Sequence, residues 1–136
     1  MTTEQEQVVA AAAQTAEALY AGQQVAHRSC GVAVAQTFGC NAKPYAVLRR
    51  GGLTGEQTCG AVRAGEMVLS EMLAPEDPAG ALPPELTAAI AHFRELCHTR
   101  LASGLSGVFV CNELVADFGD FQQPERKTPP RPASPP

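Results

Sequence analysis

Thr54-Gly55-Glu56-Gln57-Thr58-Cys59-Gly60-Ala61-Val62-Arg63-Ala64-Gly65 is the stretch on which the reading of this chain turns. It sets one cysteine at the start of a predicted helix, with small residues wherever a second helix or a ligand would come close. Thr54 followed by Gln57 is a capping-box spacing, and Thr58 is a second candidate N-cap, which would make Cys59 the first helical residue. Either way Cys59 lies near a helix N-terminus, where the partial positive charge favours thiolate. Arg63, one turn on, is expected to act in the same sense, and Glu56 against it. The helix continues through Val62, Met67, Val68, Leu69 and Met72 to about Leu73, with both methionines read as core filler.

Four more cysteines accompany Cys59, and three of them fall on the apolar stripes of other predicted helices. Cys30 is in register with Val34 and Phe38 on a helix predicted over residues 23–38 with Gly39 as its C-cap. His27, one turn earlier, is a candidate base or co-ligand. Cys97 shares a stripe with Leu86, Ile90, Phe93 and Leu101 on a helix opened by Pro83-Pro84 and running to about Ala102. Cys111 lies with Val108, Val115 and Phe118 on a last helix over residues 108–118. Cys40 follows the helix-ending Gly39, lies on no stripe, and is read as the odd cysteine out. The inward positions of Cys30, Cys59, Cys97 and Cys111 predict that the four sulfurs converge.

The remaining elements read as scaffold. Thr3 with Glu6 predicts a capped helix to about Ala21, ended by Gly22, with Val8, Ala12, Ala16, Leu19 and Tyr20 as its packing stripe. A short helix follows Pro44, from Tyr45 to about Arg49. Arg49-Arg50-Gly51-Gly52-Leu53-Thr54-Gly55 lacks the Gly-Lys-Ser/Thr ending of a phosphate loop and has no hydrophobic strand before it, so it reads as a turn over the cysteine site. Residues 122–136 hold six of the eleven prolines and no apolar side chain larger than alanine. That composition predicts a disordered tail.

The whole is an all-α protein: a compact bundle of four to five helices over residues 1–121, then the Pro-rich tail. The 136 residues suffice for one core, built from Ala, Val, Leu and Met, since Trp is absent and only 5% of residues are aromatic. A net charge of −4 gives no electrostatic footprint for nucleic acid. No apolar run approaches the roughly 20 residues of a membrane span. The acidic, polar N-terminus is no signal peptide, which points to the cytoplasm. There, cysteines in this number favour metal or redox chemistry over structural disulfides.

No two of Cys30, Cys59, Cys97 and Cys111 are separated by two residues, so neither a zinc-finger nor a thioredoxin-type motif is present. Four thiolates assembled in space can hold an iron–sulfur cluster or a zinc ion, or act as redox dithiols. They can also simply fill an alanine-rich core. Periodicity leaves these readings open.

The order Cys30, then Gly55-Glu56-Gln57-Thr58-Cys59-Gly60-Ala61, then Cys97, then Cys111 resembles the C_GCAxxG_C_C family, small four-cysteine proteins of redox class. The resemblance spans roughly residues 10–118. It departs at Ala64, where the motif's last glycine is expected, at Ser29 in place of asparagine, and in the extra Cys40. It implies a helical protein using the four cysteines together, for electron transfer, thiol redox or a metal centre, with a redox protein as partner. The alternative is a structural or adaptor subunit whose cysteines are core residues and whose tail tethers a partner.

Overall fold

The computed structural model describes residues 1–22, 25–101, 104 and 106–116. The protein is all-α: helices α1 (Thr3–Ala21), α2 (Cys30–Thr37), α3 (Arg49–Gly52), α4 (Gly60–Leu73), α5 (Pro84–Arg100) and α6 (Cys111–Ala116), with a 3₁₀ helix over Lys43–Leu48 between α2 and α3. Among the described residues no strand forms, and one isolated antiparallel bridge joins Thr58 to Val110. The expected Pro-rich tail lies outside the described residues.

Helix α1 is capped by Thr2 rather than Thr3, in a full capping box with Gln5, and it ends at left-handed Gly22. Its partner is α2, which has only 8 residues against 19 in α1. At 1.5 Å per residue that is about 12 Å of helix against about 28 Å. The N-terminal half of α1 therefore projects past its support, and Val8, expected on the packing stripe, is 69% exposed.

Helix α2 begins at Cys30, later than the sequence pattern predicts, because residues 25–29 are drawn back onto the end of α1. The last carbonyls of a helix need donors. Gly22 N–H serves Ala18 O, Arg28 N–H serves Leu19 O at 2.9 Å, and His27 Nδ1 meets Tyr20 O. The helix restarts with Ala33 N–H on Ser29 O at 2.8 Å. His27 is thus occupied by Tyr20, whose ring it also meets edge-on.

The central helix α4 packs on α2 and α5. One buried cluster joins Ala35, Tyr45, Ala64 and Val68, with Val32, Val34, Leu48 and Met67 around it. A second joins Val62, Cys97 and Phe109, with Cys59, Phe93 and Leu114 against it. Glu66 ties α4 to α5 by accepting from Arg94 Nε at 2.8 Å and Arg63 Nη1 at 2.9 Å. Leu101, expected on the α5 stripe, lies beyond the end of that helix and is exposed, as are Phe38 and Met72.

Candidate functional site

Neither Thr54 nor Thr58 caps α4. Thr54 Oγ1 accepts from Glu56 N–H within the preceding loop, and Thr58 is drawn to Val108 and Val110. Cys59 itself is the N-cap residue, its backbone extended at φ −45°, ψ 131°. Its N–H is held by Phe109 O at 2.7 Å, and its carbonyl accepts the first helical bond, from Arg63 N–H, at 3.0 Å. An N-cap side chain is normally the acceptor for the free N–H groups of the first turn. The Cys59 sulfur makes no such capping hydrogen bond, but the nearby N–H groups of Val62 and Ala61 favour charge on it.

Cys30, at the first position of α2, completes the arrangement by donating its S–H to the Cys59 sulfur. Two small residues allow this approach. Gly31 is buried against Leu48, and Gly60 has no room for a side chain: a Cβ there would lie 2.3 Å from Leu48 O and 2.9 Å from Cys30 Sγ. The hydrogen bond from Cys30 is the main force lowering the Cys59 pKa to about 6. Burial opposes it, and the N–H groups of Val62 and Ala61 assist. Cys30 moves the other way, raised by the same hydrogen bond, by burial and by the Cys59 charge. Two backbone N–H groups favour charge on Cys59, and on Cys30 only that of Gly31.

Cys111 opens α6, which starts later than the expected residue 108; Val108 is exposed and Phe109 is buried at φ 62°. Part of the expected last helix, residues 117–118, lies outside the described residues. Burial raises the Cys111 thiol, the Arg50 guanidinium beside it opposes the rise, and the Cys59 charge adds to it. Cys97 is buried between Val62 and Phe109, and its thiol is raised by burial, then by Glu66 and Cys59. Cys40 lies in another neighbourhood, with Tyr45 and Glu71.

The structure therefore places Cys30 against Cys59, sets Cys111 within reach of their charge, and packs Cys97 behind Cys59 in the core. Arg63 does not act on Cys59; it turns to Glu66. The sequence reading missed Arg50, which bears on Cys111 from a residue in left-handed conformation (φ 51°, ψ 51°). Its only signal was the pair of arginines before the glycines. Among the described residues no group of three or more His, Cys, Asp or Glu side chains is gathered so as to hold a metal ion.

No family model matches the chain, and no curated protein or solved structure matches it either.

Proposed function

We propose that the protein is a thiol–disulfide redox protein in which Cys59 is the nucleophile and Cys30 the resolving thiol. The hydrogen bond between these two sulfurs, at the N-terminus of a 14-residue helix, carries the reading. A thiolate stabilised without a metal is the attacking species in exchange chemistry. Cys59 thiolate attacks one sulfur of a substrate disulfide, one substrate thiolate departs, and a mixed disulfide forms. Cys30 then gives up its proton to a departing thiolate and attacks the Cys59 sulfur. The second substrate thiol is released and the Cys30–Cys59 disulfide remains, so the substrate has gained two electrons.

Cys97 enters this scheme as a packing residue behind Cys59. An iron–sulfur or zinc centre on the four cysteines has less support, since the donors are not gathered for it. The partner class is a disulfide-bearing protein or small molecule in a reducing compartment, which favours the cytoplasm. No helix among the described residues is long and apolar enough to cross a membrane.

The test is alkylation across pH with peptide mapping, on protein purified anaerobically and assayed for metal. Cys59 should show a midpoint near 6, and mild oxidation should yield a Cys30–Cys59 disulfide. A Cys59 midpoint at or above the free-thiol value of about 8.5, with no such disulfide, would leave packing as the role of both residues. Stoichiometric iron or zinc on the thiols would replace the dithiol reading by the metal one.

A further inference from the structure

Helix α1 is 19 residues long, and none of them is buried. Its half-buried positions are Ala12, Ala16, Ala18 and Leu19, whereas residues 3–11 are exposed throughout. Helices in proteins owe most of their stability to a packed face, yet this half presents Met1 and Val9 to solvent at 77% and 56% exposure, along with Val8. A seam runs from there along the flank of α1. Met1, Glu4, Val8, Ala11, Thr15 and Ala18 recur at alternate spacings of three and four, the repeat by which one helix packs against another. Thr15 does not interrupt it, because its hydroxyl is already satisfied by donating to Ala11 O at 3.0 Å. The two ends of the seam are complementary. One carries the protruding Met1 and Val8; the other opens into a groove lined by Gln14, Thr15, Ala18, Leu19 and Val25. The charges are complementary as well. Glu4, the one charge on the seam, has no ion-pair partner among the described residues. Arg28 stands at the groove end, its backbone N–H on Leu19 O at 2.9 Å. Its guanidinium donates to Gln36 Oε1 and Ala26 O, and to no carboxylate among the described residues.

We infer that this seam is covered by the same seam of a second copy of the chain, in a two-fold antiparallel pair of α1 helices. A two-fold contact must be self-complementary, each patch meeting its counterpart twice. Antiparallel pairing does this with the residues in hand. Val8 faces Ala18 of the second copy, large against small, and Ala11 faces its Thr15. Met1 falls toward the Val25 end of the groove. Glu4 comes opposite Gly22 of the second copy, at the end of α1 where Arg28 is anchored, so each dimer gains two opposite-charge contacts. The helix dipoles also run against one another, which a parallel pair would not achieve. A standard interface uses about 20–30 residues a side. Helix α1 with residues 25–28 stands at the lower end of that range, so the dimer is reversible and dissociates on dilution. Nothing in this pairing depends on the thiol chemistry.

Sedimentation equilibrium of the full chain, kept reduced so that no disulfide links two copies, tests this. The wild type should sediment at twice the chain mass of 14.2 kDa when concentrated and approach that mass on dilution. Val8→Glu alters an exposed position of the single chain, so the far-UV helix signal should persist while association weakens about tenfold or more, a buried charge being costly. Glu4→Arg and Arg28→Glu should each weaken association about tenfold, because every dimer then contains two like-charge contacts. An equimolar mixture of these two variants should recover association, since both contacts again join opposite charges. A parallel pair gives no such rescue. A wild type that stays monomeric at every concentration overturns the proposal. A dimer indifferent to Val8→Glu lies elsewhere on the surface and overturns it too. Weakened variants that fail to rescue one another overturn the antiparallel register. Should Arg28→Glu not fold, hydrogen exchange of the wild type decides. Amides of residues 7–11 should gain protection as the concentration rises, and unchanged protection in a dimer would remove α1 from the interface.

Discussion

Two cysteines in this molecule each touch a hydrogen-bonding partner in a partly buried setting, and their chemistry diverges. Cys59 meets a thiol donor and two backbone N–H groups, so charge on its sulfur is favoured. Cys40 meets the Tyr45–Glu71 pair. Burial and the Glu71 carboxylate raise its thiol, and the Tyr45 hydroxyl only partly opposes them. The Tyr45 hydroxyl donates to Glu71, and the ring is fully buried in the Ala35–Ala64–Val68 cluster. The comparison teaches that burial does not by itself make a cysteine inert or reactive. The decisive feature is whether its neighbours donate to the sulfur or bring negative charge to it.

The strongest way to separate the two regions is Tyr45→Ala. Removing a fully buried aromatic side chain should cost about 3–5 kcal/mol in urea unfolding. Where the variant remains folded, the Cys59 alkylation midpoint should stay near 6. A midpoint that moved with this change would mean that the two cysteine environments are coupled through α4.

Gly60→Ala tests the other side. The added methyl meets the Leu48 carbonyl and the Cys30 sulfur, neither of which can yield freely. Overpacking of this kind typically costs about 1–3 kcal/mol. It should also push Cys30 away from Cys59, so the Cys59 midpoint should rise and the Cys30–Cys59 disulfide form more slowly. A full stability loss with an unmoved midpoint would show that the sulfur contact does not control the thiolate.

These residues also show what the sequence made legible. The 3.6-residue spacing announced α1, α4 and α5, and the all-α class followed from it. Thr58 and Cys59 were placed correctly near a helix start, but the cap was assigned to an oxygen because oxygen caps are the common solution. Boundaries failed where backbone groups found distant partners. Gly22, His27 and Arg28 satisfy the end of α1 and shorten α2, while Phe109 and Gln57 carbonyls hold Cys59 and Cys111. Nothing in local periodicity encodes such bonds. The projecting half of α1 was invisible for a related reason: a stripe says which face is apolar, not how long the partner is. Arg50 was missed because a left-handed arginine has no pattern of its own.

The thiolate itself predicts a smaller, pH-dependent effect under reducing conditions. Cys59 is lowered from its ordinary value to about 6, so between that pH and the free-thiol value of about 8.5 the unfolded chain binds more protons than the native one. Stability should therefore rise with pH across this window and be lost as pH falls through 6. Cys30, shifted upward, acts oppositely above the free-thiol value. The urea midpoint measured from pH 5.5 to 8.5 should climb in the wild type and flatten in Cys59→Ser. An equal slope in both proteins would assign the titration to other groups.

The smallest effect belongs to Glu66, which joins the two helices flanking the thiol region. Its carboxyl is pushed up by burial and more strongly down by Arg94 and Arg63, so it is a carboxylate at neutral pH. Both arginines are largely solvated, with side chains 57% and 49% exposed. Each pair is then worth no more than about 1 kcal/mol after screening and side-chain entropy, and Glu66→Gln should shift the unfolding midpoint only slightly. The same carboxylate contributes to raising Cys97. Its removal should therefore let Cys97 ionise more readily while Cys59, on which Glu66 has no direct hold, keeps its midpoint. A variant that lost much more stability would reveal α5 as dependent on this one link. A shifted Cys59 with an unchanged Cys97 would reverse the assignment of which thiol is tuned from α4–α5 and which from the helix start.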